Sequence, residues 1–452
     1  MDVQSSTNSV FGTDGIRGEV GTFPLTTEGC GKIGWATGCE IIDSTNKLIL
    51  IGRDTRNSGL VLEEALKTGC LNAGANVLMV GVLPTPAVAY LVQECGASLG
   101  LVVSGSHNPA TDNGIKFFSS DGSKINTAVE QRIQTRLSEP TTAAEYSKLG
   151  QILPVIDARN RYKQFCQSII QPRLELNGMH LVLDCANGAC SQLAPEIFEE
   201  LGAQVTAIGN EPDGTNIHVG CGSTNPAALA QIVVEQKADI GFAFDGDGDR
   251  VIVVDSTGQV RDGDYILYAF AKERYLLGAS LEGVVSTVMA NFGLEHALAR
   301  LGTRLERVDV GDRNVQQRLA KRKWLFGGEP SGHIYCRADS TTGDSIVTAM
   351  FILQTCQRLN SNFESIVADL KKLPAKLISV PVNRPDQLTS SEELRRQIAR
   401  CQENCEPALR VNVRPSGTEP VVRILVEGVD AKLVENKATE VATMIVKYIA
   451  EK

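Results

Sequence analysis

Four short glycine-bearing polar segments interrupt otherwise apolar runs of the 452-residue sequence, and each carries side chains that could do chemistry. The first, Ser104-Gly105-Ser106-His107-Asn108-Pro109, follows Leu99 to Val103 directly. A hydroxyl at the C-terminal tip of a buried strand sits where open α/β sheets place their ligands. An ordinary strand-to-loop turn uses the same residues, and the G-x-S-x-G form of a hydrolase elbow is absent. The second segment runs Phe244-Asp245-Gly246-Asp247-Gly248-Asp249-Arg250. Three carboxylates at alternate positions, spaced by glycine, can converge on one hard cation, and without one they repel each other. A solvated acidic turn is the plainer alternative. A calcium-binding EF-hand needs Gly at its sixth position and Glu at its twelfth, where this chain has Arg250 and Ser256. Mg²⁺ is favoured, with a phosphate supplying the missing oxygen ligand. In the third segment, Gly327 to His333, the alternating Glu329, Ser331 and His333 offer donors and acceptors for sugar hydroxyls, although a glycine-rich turn with a capping serine fits equally. The fourth, Arg414-Pro415-Ser416-Gly417-Thr418-Glu419-Pro420 followed by Arg423, has the makings of an anion cradle or of a solvated loop.

Elements with a clear period stand between these segments. Leu48 to Ile51, Val77 to Val80 and Leu99 to Val103 predict buried strands, separated by helices near Ser58–Ala73 and Thr85–Cys95. Similar runs recur at Leu181 to Leu183, Val205 to Ile208, Ile240 to Phe244, Val284 to Thr287, Arg304 to Val308 and Trp324 to Phe326. Strand-helix alternation of this kind predicts α/β domains with mixed sheets covered on both faces. The expected architecture is three similar α/β domains, with no clear sequence repeat between them, around a central cleft. Beyond Pro374, strands at Leu377–Val382, Leu409–Val413 and Val421–Val426 with helices near Glu392–Cys401 and Ala431–Ile449 predict a small α+β domain. The expected divisions are 1–153, 154–256, 257–372 and 373–452, each with one polar segment.

Bulk composition excludes several function classes. The net charge is -9, and no Lys/Arg-rich run offers a nucleic-acid surface. The most apolar stretch, Asn76 to Val92, is broken by Pro84 and Pro86, so no membrane span is expected. The opening MDVQSSTNSV does not read as a signal peptide, so a cytoplasmic protein with 12 reduced cysteines is expected. The spacings Cys185/Cys190 and Cys401/Cys405 are weak grounds for zinc.

The four segments occur in the order and approximate spacing of the α-D-phosphohexomutase superfamily. Phe11-Gly12-Thr13-Asp14-Gly15-Ile16-Arg17-Gly18 resembles the opening of its bacterial phosphoglucosamine mutase branch. Asp112 to Phe118, Cys221 to Pro226 and Thr341 to Asp344 resemble that branch too, so the likeness runs from about Val10 to the last helix. Gly105, Pro330, Asn314 and Asp309 depart from its usual residues.

The resemblance implies an isomerase that moves a phosphoryl group from a phosphoserine, here Ser106, to a sugar monophosphate and takes the other phosphate back. Glucosamine 6-phosphate and glucosamine 1-phosphate would interconvert through glucosamine 1,6-bisphosphate, feeding cell-wall precursor synthesis. One Mg²⁺ per subunit is implied on Ser106, Asp245, Asp247 and Asp249. Arg17, Arg250 and His107 are implied at the phosphoryl group. Lys116, with a pKa lowered by arginines and burial, and His333 are the candidate proton carriers. Glu329, Ser331 and His333 would read the sugar, while Arg414, Ser416, Gly417, Thr418 and Arg423 would hold the other phosphate. Hinge closure of the cleft and a homodimer are implied as well. A phosphoglucomutase or phosphomannomutase would share this machinery; a phosphatase or a non-catalytic sugar-phosphate sensor are the alternatives outside it.

Overall fold

Alternating side chains of buried strands divide between two apolar layers, and the first strands show how. Leu48 and Leu50 point into one core while Ile49 and Ile51 point into another, as the two-residue period of a doubly covered strand dictates. In the computed structural model the described residues are 9–12, 14–142, 144–145, 148–154, 157–336, 341–382, 391–403, 409–415 and 421–450. Among them, no helix is long and apolar enough to cross a membrane. The eleven described cysteines are free thiols.

Three sheets share one plan. The first contains β1 (Ile16–Glu19), β2 (Leu48–Arg53), β3 (Asn76–Val82), β4 (Leu99–Val103) and β5 (Asp112–Ser119) in the order β1-β5-β4-β2-β3. The second contains β6 (His180–Asp184), β7 (Gln204–Ile208), β8 (Ile240–Phe244), β9 (Val251–Asp255) and β10 (Val260–Arg261) in the order β10-β9-β8-β6-β7. The third contains β11 (Gly283–Thr287), β12 (Arg304–Val308), β13 (Phe326–Gly328) and β14 (Ile334–Tyr335) in the order β12-β11-β13-β14. In every case three parallel strands are followed by one antiparallel neighbour, β5, β9 or β14. The serine, aspartate and Glu329–His333 segments each join the third parallel strand to that antiparallel neighbour. Three different polar loops thus occupy one topological position. Pairing of β10 with β9 carries the second sheet beyond residue 256, past the division expected there, because a hairpin closes at Thr257-Gly258.

A faint repeat underlies the shared plan. Gly100, Gly241 and Gly327 sit in the third strands, where an added Cβ would meet Val92 at 2.4 Å, Val233 at 2.6 Å and Leu319 at 2.9 Å. Each of these apolar residues is eight positions upstream, in the preceding helix. Between each pair, Gly96, Lys237 and Lys323 turn the chain with φ of 64°, 53° and 56°. No repeat is expected from the sequence read linearly, because the apolar residue, the turn and the glycine are all that the copies keep.

One continuous core joins the inner layers of the three sheets, including Leu50, Leu183, Phe242, Val284 and Phe326. The fourth domain has its own core beneath an antiparallel sheet ordered β15-β17-β16, made of β15 (Ala375–Pro381), β16 (Leu409–Pro415) and β17 (Val421–Gly428). The fold class is that expected: three α/β units with mixed sheets and a C-terminal α+β unit.

Candidate active site

Ser106 is fully buried at the tip of β4, in the left-handed region with φ 52°. Its Oγ donates to Asp245 Oδ2 at 2.9 Å and lies 3.2 Å from His107 Nδ1. Hydroxyl and acidic loop, from different sheets, therefore meet. Ser104, the other hydroxyl of the segment, donates instead to Asp54 Oδ2 at 2.6 Å and accepts the Ser106 N–H at 2.8 Å.

Asp245, Asp247 and Asp249 are buried, with an oxygen of each within 4.8 Å of the others. Lys116, on β5, donates to Asp247 Oδ2 and Asp249 Oδ2 at 2.6 Å each. The remaining oxygens of Asp247 and Asp249 are buried without a hydrogen-bond partner. Leaving these two oxygens so is costly, and one oxygen from each of three carboxylates converging is the donor set of a hard divalent ion. The residues fit such an ion. Burial, then Asp249 and Asp247, push the Asp245 carboxyl well up. Burial opposes ionisation of Asp249 too, but Lys116, His333 and Arg250 outweigh it and hold that carboxyl well below its usual range.

The expected lowering of the Lys116 pKa is reversed. Burial does pull the ammonium down, but Asp14, Asp247 and Asp249 more than compensate and hold it well above the ordinary lysine value. The sign differs because three carboxylates, not the arginines, are its nearest neighbours.

A cleft of about 720 Å³ opens beside these groups, lined by Arg17, His107, Arg250, Glu329 and His333, all expected site residues. Arg17 Nη2 pairs with Asp14 Oδ2 at 2.7 Å, and Asp14 also pairs with Lys124. Burial, with the charges of Arg250 and Arg17, pushes the His107 imidazole down to about 4. For Arg250, burial is outweighed by Asp249, Asp245 and Glu329, which raise its pKa. Glu329 accepts from the Gly311 N–H and from Ser331 Oγ, both at 3.2 Å. His333 is buried, with Nδ1 3.7 Å from Asp249 and Nε2 accepting the Gly343 N–H at 3.1 Å. Burial lowers its pKa, yet Asp249 and Asp312 raise it on balance. The Gly343 hydrogen bond nevertheless holds Nε2 as an acceptor, which is the neutral Nδ1–H tautomer.

Arg414 and Arg423 face each other across β16 and β17. Burial and Arg423 lower the Arg414 pKa, while Asp309 and Glu329 raise it, which brings Arg414 near two residues of the third domain's side of the cleft. Ser416, Gly417 and Thr418 lie outside the described residues. Of the departures, Asn314 donates to the carbonyls of Asp309 and Val310, bracing the loop that lines the cleft.

Several contributors were not legible. Asp14, Lys124, Asp312, Arg56, Thr85 and His218 are distant in sequence from the segments they serve. Thr85 binds Asp247 through both its N–H and its hydroxyl, His218 Nε2 accepts the Gly246 N–H at 2.7 Å, and Ser345 Oγ donates to Gly248 O at 2.7 Å. The acidic loop is thus clasped from all three α/β units. The available signals are Arg53-Asp54-Thr55-Arg56, a charged run directly after an apolar strand, and, for Asp14, its place in the Phe11 to Gly18 stretch.

Residues 8–144, 161–258 and 262–373 match alpha/beta/alpha domains I, II and III described as phosphoglucomutase/phosphomannomutase, and 377–444 match the C-terminal domain. A phosphoglucosamine mutase of Alcanivorax borkumensis is 45% identical over 98% of this chain and 100% of its own. One of Cellvibrio japonicus is 45% identical over 97% and 99%. In fold, a phosphoglucomutase/phosphomannomutase family protein of Burkholderia thailandensis matches with TM-score 0.80 at 24% identity, over 96% of this chain and 98% of that one. The Aspergillus fumigatus N-acetylphosphoglucosamine mutase, solved with GlcNAc-6P and magnesium, matches with TM-score 0.66 at 16% identity, over 96% and 95%. By these sequence matches along almost its whole length, the chain belongs to the phosphoglucomutase/phosphomannomutase family, in the branch of the phosphoglucosamine mutases.

Proposed function

We propose that this chain interconverts glucosamine 6-phosphate and glucosamine 1-phosphate, with Ser106 as the phosphoryl carrier and a bound 1,6-bisphosphate between the two half-reactions. The observation that carries the reading is the 2.9 Å contact of a buried strand-tip hydroxyl with an acidic triad contributed by another sheet. In the first half-reaction the P–Oγ bond of phosphoserine breaks, a bond from phosphorus to the sugar hydroxyl oxygen forms, the hydroxyl proton passes to a base, and the departing Oγ takes up a proton. The bisphosphate then turns over in the cleft, its other P–O bond to the sugar breaks as a bond to Ser106 Oγ forms, the serine gives up its proton, and the departing sugar oxygen gains one. No phosphate is consumed.

The residues divide this work. Arg17 and Arg250, both in the cleft wall, balance charge on the phosphoryl oxygens, where the transition state concentrates it. His107 is uncharged at neutral pH and 3.2 Å from Ser106 Oγ, suited to receiving the serine proton. Lys116, held by Asp247 and Asp249, and His333, beside Asp249, are the two candidate bases for the sugar hydroxyl. Asp245, Asp247, Asp249 and a serine phosphate oxygen would hold Mg²⁺, which supplies Lewis-acid stabilisation and draws carboxylate charge away from Lys116. Glu329 and Ser331 would read hydroxyls common to both orientations, and Arg414 with Ser416, Gly417, Thr418 and Arg423 would hold the resting phosphate.

Glucosamine, glucose and mannose 6-phosphates, compared in a coupled assay, test the substrate; the amino sugar should lead in kcat/KM. Ser106→Ala should lower turnover by roughly 10³-fold or more and remove a one-phosphate increment from the intact mass. Steady release of inorganic phosphate, or a preference for mannose, would sink the assignment.

A further inference from the structure

The serine loop is held by a second, wholly buried set of residues that never reaches the cleft. Arg56 is fully buried, and all five of its guanidinium N–H groups are engaged. Nε donates to Asp54 Oδ2 at 2.9 Å, and Nη2 donates to the carbonyls of Ser106 at 2.9 Å and Asn108 at 2.7 Å. Nη1 donates to the carbonyls of Asp112, at 3.0 Å, and Pro109. Asp54 in turn accepts from Ser104 Oγ, which accepts the Ser106 N–H. Both backbone polar groups of Ser106 are therefore tied to one ion pair. A β-carbon at residue 105 would meet the guanidinium carbon at 2.9 Å, so glycine there leaves room for Arg56.

Left-handed backbone costs about 1 kcal/mol or more for a non-glycine residue, and something must hold Ser106 there. We infer that Asp54, Arg56 and Ser104 are positioning residues that fix the Ser106 backbone so that its Oγ meets the acidic triad. This rests on the reading of Ser106 as phosphoryl carrier. A planar fork saturated by carbonyls cannot be replaced by the three donors of lysine. Ser104, though a hydroxyl two residues from the nucleophile, acts through its neighbour's N–H.

Ser104→Ala and Ser104→Thr in the full chain test the inference, with Arg56→Lys as a second lesion. Displacing a reacting oxygen by about 1 Å costs on the order of 100-fold in rate. Ser104→Ala and Arg56→Lys should therefore lower kcat about 100-fold with KM for the sugar phosphate unchanged, and Ser104→Thr should restore it. Hydrogen exchange in peptides spanning 105–112 should accelerate about 10-fold in Ser104→Ala, matching the loss of one net hydrogen bond, while β2 and β3 stay protected. Wild-type kcat and exchange in Ser104→Ala, or losses that Ser104→Thr fails to repair, would overturn the inference. If the wild type itself turns over no sugar phosphate, the mutase reading fails, and the exchange contrast alone decides the positioning role.

Discussion

Lys116 sets one ammonium against two of the three converging carboxylates. It contacts Asp247 and Asp249, and removing it leaves buried carboxylates facing each other. Breaking such a pair from one side costs about 3–5 kcal/mol. Lys116→Gln should accordingly melt lower than the wild type in chelator and recover more on adding Mg²⁺; equal melting shifts in both proteins would contradict this. Protons act on the neighbouring imidazoles in the opposite sense to their usual partners. His107 and His218 are pushed from 6.5 to about 4, by burial first and then by Arg250 and Arg56 respectively. Through these two rings the folded state binds fewer protons than the unfolded chain between about pH 6.5 and 4, so their contribution to stability is full above that window and is lost as pH drops through it. The two rings should pull urea midpoints down between pH 7 and 4.5. His218→Asn, which tolerates the left-handed φ of 59° there, should flatten part of the decline.

The helices Thr27–Glu40 and Asn57–Asn72 approach so closely that glycine replaces side chains at their crossing. A β-carbon at Gly34 would meet Leu66 O at 2.1 Å, and one at Gly69 would meet Gly31 O at 2.0 Å. A β-carbon at Gly31 would find its nearest atom, Ala65 O of the facing helix, at an ordinary 3.8 Å. Gly34→Ala should therefore destabilise by about 1–3 kcal/mol through overpacking, whereas Gly31→Ala should stabilise by about 0.5–1 kcal/mol through helix propensity. Chemical denaturation separates the two. Four glycines between Gly29 and Gly38 also explain why this helix left no trace in the sequence: local propensity argues against it, and only the facing helix makes it form. Apolar β-branched strands such as Leu99–Val103 were legible because burial on both faces leaves an unbroken apolar run. Ser106 and the aspartates were legible for a related reason, since each polar loop begins where such a run stops. Arg56, Asp14 and Lys124 were not, because a lone charge in sequence does not announce which distant loop it will hold.

Larger contacts set how the units stand around the cleft. Arg313 pairs with Glu130, and Lys124 joins Asp14 to Asp312, tying the first unit to the third. The fourth docks through Arg410, which donates to the carbonyls of Val288 and Ala290 and pairs with buried Glu427 at 2.7 Å. Rotation of the fourth unit about this seam would close the cleft. Scattering should give a smaller radius of gyration with glucose or glucosamine bisphosphate present, and superimposable profiles would argue against closure. Arg410→Ala should raise KM more than it lowers kcat, because the docking it removes orients Arg414 and Arg423. The clasp on Asp245–Asp249 by Thr85, His218 and Ser345 carries a last consequence. A keystone gripped from three sides leaves the molecule without working halves: fragments separated near residue 150 or 258 should rebuild this loop only when all three units come together again.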